Sequence, residues 1–388
     1  MRHYLELHIL QNVAPSNLNR DDTGSPKDCI FGGVRRARLS SQSLKRAARD
    51  RMRDAQLVPT ENLAYRTKRL SGQLVGRLVE MGKPADQAEA AVSCALGGLG
   101  IKVVRNPEGE GDAKTQYLVF LGERELAKVT SLIAEEKTFE ALLAAAEAGS
   151  EGKSGKAAKK EAKKAAPADL IKRLKESLDG GKAVDLALFG RMLADLPEAN
   201  RDAACQVAHA ISTHRVEREF DFYTAVDDLR PDDTSGADML GTVEFTSSCF
   251  YRYAVIDLDL LLHNLGEDRE LAVSAAKAFV SSSVESLPSG KQNSFAAHNP
   301  PSYIAVVAAD QGSPRNLANA FEKPVRAEGA GLVAASIDIL KEEALRLEKI
   351  YGHRADALEV NALHPEKSLT FSELLSSVES RVRELLEG

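Results

Sequence analysis

The sequence predicts an α+β fold in which a sheet domain is interrupted by insertions. A period-two pattern near the N-terminus is typical of a strand, and a long middle stretch rich in Ala, Glu, Leu and Lys is typical of helices. Further β-prone and helical segments make up the C-terminal half. At 388 residues the chain is longer than one ordinary domain, so we expect either one core with large insertions or two domains.

The first predicted element is a half-buried strand at residues 4–10. Its leucine and isoleucine side chains alternate with Glu6 and His8, so the apolar residues share one face. Residues 14–33 are packed with Pro, Asn, Asp, Ser and Gly, which favour turns. A long loop is therefore expected after this strand.

A basic strand and a basic helix are predicted next. In the strand-like text VRRARLSS, Arg36 and Arg38 are offset by two and share a face, and Ser40 or Ser41 is suited to cap the helix that follows. The apolar stripe of the helix and the cations beside it repeat at a spacing of four: Leu44, Ala48 and Met52, with Lys45, Arg49 and Arg53. The helix is therefore amphipathic and cationic.

Residues 57–200 are predicted to form a mostly helical insertion, with short strands near 103–105 and 116–121. Its middle, GSEGKSGKAAKKEAKKAAPADL, has too little apolar content to bury a face. A solvated linker is the favoured interpretation, and weak contact with DNA is the alternative. The lysines concerned are Lys153, Lys156, Lys159, Lys160, Lys163 and Lys164.

The C-terminal half is predicted to complete the sheet domain. A helix at 201–213 precedes an acidic segment with the character of a projecting hairpin, and the later elements are strands at 249–258 and 303–308 and helices at 331–351 and 370–386. The resulting order of strand, helix, insertion, arm, strand, helix and strand suggests a ferredoxin-like sheet domain that is interrupted twice.

The charge distribution points to a polyanion. The net charge of −6 and the pI near 5.9 argue against a nucleic-acid ligand, but residues 27–53 contain nine cations and only two anions. Cations spaced four apart on a helix can meet successive phosphates. A solvated helix face is the ordinary alternative, and the serines before the helix are either phosphate donors, together with Gln42, or simple caps.

Catalytic interpretations have less support. Asp21, Asp22 and Asp28 could hold a divalent cation, although acidic loop residues are more often turn formers. His209 and His214 lie five residues apart, and we expect both to make structural hydrogen bonds. The text contains neither a GxSxG motif nor a P-loop or dinucleotide-binding fingerprint. Hydrolase, NTPase and dehydrogenase functions are therefore not indicated.

No cofactor, metal site or membrane contact is expected. The four cysteines are far apart and form no CxxC pair, so they indicate reduced thiols in the cytoplasm. No run approaches the roughly 18 apolar residues of a membrane span.

Aromatic residues are concentrated in the predicted arm. Tryptophan is absent and aromatics make up only 5% of the chain, so base stacking must rest on few side chains. The candidates that could wedge against bases or pack on a neighbouring molecule are Phe220, Phe222, Tyr223 and Met239 with Leu240, and Met192 is similarly ambiguous. Core packing is the alternative, but the acidic neighbours of these residues favour a protruding element.

Several segments resemble the CasC family, the backbone subunit of the type I-E CRISPR complex Cascade. The stretch SNLNRDDTGSPKDCIFGGVRRARLSSQSLKRAARD is similar to that family's N-terminal signature, and AHAISTHRVEREFDFYTAVDDL with LGTVEFTSSCFYRYAVIDL is similar to its thumb. NLANAFEKPV resembles a later core motif. The resemblance implies an RRM-like palm at 1–56 and 201–388, a helical finger at 57–200 with a Lys/Ala-rich loop near 150–166, and a thumb arm at 214–248.

The resemblance implies that several copies assemble along one CRISPR RNA without catalysis. The residues that would hold the RNA backbone are Arg20, Lys27, Ser40, Gln42, Lys45, Arg46 and Arg49, to which the charge pattern adds Arg36 and Arg38. Phe222 and Tyr223, with Met192, would separate groups of bases. The implied partners are CRISPR RNA, complementary target DNA, other copies of the chain and the large, small, guide 5′-end and guide 3′-end subunits.

Two alternatives remain open. Relatives in type III complexes cut target RNA with a loop aspartate, so Asp21, Asp22 or Asp28 could do the same. A structural protein that oligomerises without nucleic acid is the other.

Overall fold

The computed structural model describes residues 2–104, 113–150, 168–225, 239–327, 329 and 331–387. Its chain divides into two compact units. The first unit comprises Met1–Leu57, Cys205–Asp259 and Val273–Gly388, and the second comprises Val58–Ala204 and Leu260–Ala272. The architecture is mixed α+β with an antiparallel sheet, as predicted.

The strands are β1 (Tyr4–Ser16), β2 (Asp28–Phe31), β3 (Val34–Leu39), β4 (Ala64–Thr67), β5 (Val103–Val104), β6 (Lys114–Thr115), β7 (Val119–Gly122), β8 (Cys205–Val207), β9 (Ala210–Ser212), β10 (Glu219–Ala225), β11 (Met239–Asp257), β12 (Tyr303–Ala309) and β13 (Leu358–Asn361). The helices are α1 (Ser41–Asp54), α2 (Leu70–Glu80), α3 (Ala85–Gly98), α4 (Glu123–Ala134), α5 (Glu136–Ser150), α6 (Ala168–Glu176), α7 (Val184–Phe189), α8 (Leu258–Asn264), α9 (Arg269–Glu285), α10 (Gln292–Phe295), α11 (Leu332–Tyr351) and α12 (Phe371–Glu387).

The large sheet of the first unit is built around β1. Its strand order is β13-β12-β1-β11-β9-β3-β2, and β8 and β10 also pair with β11. The pairs on either side of β1 are antiparallel, with Leu7 opposite both Ala254 and Val306. Along the chain the central elements follow the order β1, α1, β8 with β9, β11, α9 and β12.

Both faces of β1 are buried, which corrects the prediction of a half-buried strand. On one face Leu7 and Ile9 lie with Leu44 of α1 and Phe279 of α9. On the other face α11 and a 3₁₀ turn at Leu317–Phe321 cover the strand, so that Glu6 and His8 are buried as well. Polar residues at alternate positions therefore do not mark a solvent-facing side here.

The buried polar residues of β1 are satisfied within a hydrogen-bond network. Glu6 forms an ion pair with Arg354, and its Oε2 accepts hydrogen bonds from the Tyr253 hydroxyl at 2.7 Å and the Arg315 backbone N–H at 2.6 Å. The Nδ1 atom of His8 lies 2.9 Å from the Tyr251 hydroxyl. This network makes the burial of a carboxylate tolerable, because an unpaired buried charge is strongly destabilising.

Two other local predictions were wrong. Residues 201–213 are not a helix: they contain β8 and β9, which pair with β11, so sheet pairing outweighs the helical preference of the alanines. The loop predicted at 14–33 is shorter, because β1 continues to Ser16 and β2 forms a hairpin with β3. Gly32 and Gly33 join these strands with φ angles of 59° and 75°, which suit a tight two-residue turn.

The second unit has a core of its own. Helices α2 to α6 bury a leucine-rich cluster that includes Leu74, Leu96, Ile133 and Leu174. The short strands pair as β4 with β7 and β5 with β6. The six central lysines lie outside the described residues.

Residues 260–272, which the sequence analysis placed with the first domain, belong to the second unit. Hydrogen bonds explain this assignment: the side chain of Asn264 donates to the carbonyls of Ala187 at 3.1 Å and Asp202 at 2.9 Å. Lys182 also forms an ion pair with Asp268 at 2.8 Å. In the part of the chain that the structure describes, no helix has the length and apolarity that crossing a membrane requires.

Candidate nucleic-acid interface

Helix α1 begins at the N-cap that the sequence predicted. Ser40 has an extended backbone, and its Oγ accepts a hydrogen bond from the Ser43 backbone N–H at 3.4 Å. The Ser40 N–H donates to Oδ1 of Asn19 at 2.8 Å, which ties the loop after β1 to the helix start. Ser40 itself is buried. Of the two roles considered for this serine, the structure therefore shows the cap.

The apolar stripe of α1 is confirmed, because Leu44, Ala48 and Met52 are all buried. The opposite side of the helix carries its polar residues. Gln42 and Arg46 are exposed, and Arg46 forms an ion pair across one helical turn with Asp50 at 3.4 Å. Lys45 and Arg49 lie at intermediate exposure beside them. Such an exposed pair contributes little to stability, so Arg46 remains able to meet a polyanion.

Arg36 does not belong to this surface, which corrects its place among the predicted phosphate ligands. Its side chain is 0% exposed. The guanidinium donates to the carbonyls of Phe31, Ser212, Phe321 and Glu322 at 2.7–3.2 Å. Burial lowers the pKa of Arg36. Since its donors are used by the backbone, this residue joins the β2–β3 hairpin to the 3₁₀ turn and has no access to phosphate.

Arg38, two residues later, is presented differently. Its Nε donates to the carbonyl of Asp28 at 3.0 Å, and its NH1 lies 3.0 Å from Nδ1 of His209. Lys27 is bound to the same region through backbone hydrogen bonds to Asn19 and Arg38. Partial burial and the charges of Arg38 and Lys27 lower the pKa of His209. The strand β3, the loop before β2 and the bend between β8 and β9 therefore bring three nitrogen-bearing side chains together.

The loop aspartates already have protein partners. Oδ1 of Asp21 accepts hydrogen bonds from the hydroxyl and backbone N–H of Thr23 and from the Ser25 N–H, and the Thr23 hydroxyl bond lowers the pKa of Asp21. Asp28 forms ion pairs with Arg35 and Arg218, which lower its pKa although partial burial opposes them. Among the residues that the structure describes, no three His, Cys, Asp or Glu side chains come together as a metal site.

The predicted arm is a two-stranded hairpin of β10 and the first part of β11. Phe222 pairs with Thr242 and Tyr223 with Gly241, so these two aromatics lie on opposite faces of the ribbon. Phe220 shares the face of Phe222, and both phenylalanines are exposed. Tyr223 packs over Gly241, where an added Cβ would stand 2.3 Å from the ring. The side chains of Met239 and Leu240 lie outside the described residues.

Met192 belongs to the second unit, where its side chain is 86% exposed. The residue before it is anchored in the core: NH1 of Arg191 lies 2.7 Å from the Glu125 carboxylate, and both side chains are almost fully buried. Arg191 also donates to the carbonyls of Ala199, Phe120 and Leu178 at 2.9–3.2 Å. A rigid anchor therefore holds a large apolar side chain out in solvent.

Comparison with known families and curated proteins shows which of them are similar to this chain. The family model described as CT1975-like protein matches residues 5–387. The chain belongs to the CT1975-like family. This agrees with the CasC resemblance carried by the N-terminal and hairpin segments. Among curated proteins, no match was found.

Two solved structures are similar to this CT1975-like chain over almost its whole length. A chain of a "CRISPR RNA-guided surveillance complex, pre-nicking" is 31% identical with a TM-score of 0.81, covering 98% of this chain and 100% of that one. A chain of a "CRISPR RNA-guided surveillance complex" is 26% identical with a TM-score of 0.69, covering 97% and 99% respectively.

Sequence reasoning missed two features of this CT1975-like surface. His209 was expected to make structural hydrogen bonds, and it contacts Arg38 in this way, but its position beside Lys27 and Arg38 on the cationic surface was not predicted. Phe220 was grouped with its aromatic neighbours, yet the strand register places it on the same face as Phe222 and on the face opposite to Tyr223. The period-two rule, applied to residues 220–223, was the signal that could have separated the two faces of the hairpin.

Proposed function

We propose that this chain is a non-catalytic, RNA-binding backbone subunit of a type I-E CRISPR surveillance complex. In this proposal it oligomerises along CRISPR RNA and presents the guide bases for pairing with target DNA. The observation that carries the proposal is the cationic surface of a chain that belongs to this family. The candidate contacts are Arg20, Lys27, Arg38, Gln42, Lys45, Arg46 and Arg49, with the helix start at Ser40 as a source of backbone donors.

The first unit serves as an RRM-like palm in this proposal. Its antiparallel sheet follows the β–α–β–β–α–β order of ferredoxin-like domains. RNA-recognition domains of this order stack bases on sheet-face aromatics. Here the face with His8, Tyr251 and Tyr253 is covered by α11 and the 3₁₀ turn. In this proposal RNA therefore binds at the α1 edge, through phosphates more than bases.

The hairpin of β10 and β11 serves as the thumb, and the second unit as the finger domain. Phe220 and Phe222 offer one exposed apolar face that can enter between bases, and Tyr223, which is also exposed, offers the other face of the hairpin over Gly241. On the finger, Met192 offers a second exposed wedge. Periodic wedges of this kind leave the bases between them open to pairing, so that RNA and not protein reads the target sequence.

A metal-dependent nuclease role is less well supported. The Asp21 carboxylate accepts hydrogen bonds within its own turn, and the Asp28 carboxylate forms ion pairs with two arginines. Both carboxylates therefore already stabilise the local structure. Asp22 is exposed in the same loop. If the assembled complex cut complementary RNA at regular intervals in the presence of magnesium, the non-catalytic assignment would be wrong.

The decisive experiment is co-purification with the neighbouring gene products, followed by measurement of the 260/280 nm absorbance ratio and sequencing of the bound RNA. Discrete RNAs of uniform length with repeat-derived ends are expected. An assembled preparation without nucleic acid would favour the structural oligomer. The other expected partners, which are target DNA and the large, small and guide-end subunits, are tested by adding each to this preparation.

A charge-reversal pair tests the surface itself. Lys45→Glu with Arg49→Glu should weaken RNA retention and flatten its salt dependence by about 0.7 in logarithmic slope for each phosphate that is no longer neutralised by a cation. The matched control is Lys349→Glu with Lys367→Glu, at two exposed lysines of the first unit, which reverses two positive charges in the same way. Equally weakened retention in both double variants would show a general charge effect and contradict the assigned surface.

A further inference from the structure

His209 lies at the bend between β8 and β9, next to the start of α1. Strand β3 pairs with β9 so that Arg38 is opposite Ile211 and Leu39 is opposite Ala210. His209 directly precedes Ala210 in the chain, and Ser40, the cap of α1, directly follows Leu39. The exposed ring therefore stands at the edge of the cationic surface proposed for RNA.

The contact with Arg38 fixes the tautomer of this ring. NH1 of Arg38 lies 3.0 Å from Nδ1 of His209. A guanidinium carries only donors, so Nδ1 must accept and the neutral ring keeps its proton on Nε2. The Nε2–H is thus the donor with which His209 can meet an external acceptor.

The surroundings of the ring favour its neutral form in the free protein. Lys27 and Arg38 are the charged groups that face it, from the loop before β2 and from β3. Arg38 is held further by the Asp28 carbonyl. Of the titratable groups next to these elements, Cys29 and Cys205 have pKa values raised by burial. The positive charge of Lys45 in α1 acts in the opposite direction on the pKa of Cys205. The nearby Asp28 carboxylate on β2 is paired with Arg35 and Arg218 and does not balance the ring.

We propose that His209 and Arg38 together hold one phosphodiester of the bound RNA, and that His209 takes up a proton as it does so. This inference rests on the proposed RNA-binding function. A phosphate placed among Lys27, Arg38 and His209 adds the missing negative charge and favours the imidazolium. A protonated ring has no acceptor, so NH1 of Arg38 is released from Nδ1 and both side chains donate to the phosphate. The proton comes from solvent.

Protonation of His209 and binding of RNA are thermodynamically linked in this proposal. If binding raises the pKa of His209, RNA affinity rises as pH falls through the interval between the free and bound pKa values. Each unit by which the pKa rises gives a tenfold gain in affinity at the acidic end. Removing the titrating ring removes this gain and leaves the pH-independent phosphate contacts.

The test measures RNA affinity between pH 5.8 and pH 7.8 for the wild-type protein and for His209→Gln, with single-stranded RNA of guide length as the probe. Calorimetry in buffers of different ionisation enthalpy counts the protons taken up. Wild type should bind more tightly at low pH with net proton uptake, and His209→Gln should show a flat profile and no uptake. His364→Gln, at another exposed histidine of the first unit, is the matched control and should retain the wild-type slope.

Arg38→Gln provides a second variant that does not alter the ring. Without the Arg38 charge the free pKa of His209 is higher, so the pH interval of proton uptake should move upward. Equal slopes and proton counts for wild type and His209→Gln would overturn the inference while RNA binding itself stood. Absence of RNA binding at every pH would instead overturn the proposed function.

Discussion

The buried ion pair beneath Met192 allows a sharp test of how the second unit is stabilised. We predict that Arg191→Met destabilises this unit strongly, because the Glu125 carboxylate, 2.7 Å away, would be left buried without its counter-charge. The two side chains are 1% and 0% exposed. Removing one partner of such a pair costs about 3–5 kcal/mol. Arg191 also donates to three backbone carbonyls, and removing these hydrogen bonds acts in the same direction.

The measurement is native-state hydrogen exchange read by mass spectrometry on peptides from α4 and from residues 180–200. A chain of two units need not unfold in one step, so exchange within the second unit is more informative than a global transition. The exchange free energy of α4 should fall by the amount given above.

A matched control exists in the same unit. Arg173 and Glu135 form an ion pair at 2.8 Å, but both side chains are exposed to solvent. Arg173→Met should therefore leave exchange in α4 almost unchanged. The double variant Arg191→Met with Glu125→Gln should recover part of the stability, because the buried charge is then absent. If Arg191→Met changed the exchange free energy of α4 as little as Arg173→Met, the buried ion pair would not stabilise this unit.

Three further predictions concern the first unit. Burial lowers the pKa of His8 from 6.5 to about 4, so between these two pH values the unfolded chain binds a proton that the folded chain does not. The free energy of unfolding, measured by chemical denaturation, should therefore fall by roughly 3 kcal/mol as pH drops from about 6.5 to about 4. A free energy that does not change with pH would contradict this prediction. Gly32→Ala should cost about 1–3 kcal/mol more than Gly33→Ala, because a Cβ at Gly32 would stand 1.7 Å from the carbonyl oxygen after the 3₁₀ turn, whereas Gly33 has no atom within 4 Å; equal thermal shifts would refute this. Phe220→Ala with Phe222→Ala should reduce RNA retention without altering thermal stability, since both rings are exposed, and unchanged retention would remove the hairpin from the proposed wedges.

Local patterns in the sequence predicted several elements correctly. The cap at Ser40 and the stripe of Leu44, Ala48 and Met52 depend on spacing within a few residues, and α1 has both. The pairing of β10 with β11 is also local, because acidic and turn-forming residues separate two β-prone runs of the sequence. Strands β8 and β9 were missed because their pairing with β11 is a long-range contact that no short window contains.

The two arginines of β3 show why the rest of the site could not be predicted. A period-two pattern places Arg36 and Arg38 on the same face, and their charge is identical in the sequence. The 3₁₀ turn at Leu317–Phe321, almost three hundred residues later, covers the first arginine and supplies one of its carbonyl acceptors. Arg38 lies beyond this turn and instead meets His209. Whether an arginine has a structural role or can bind a ligand thus depends on which distant backbone segment contacts it. The sequence of β3 alone does not predict that contact.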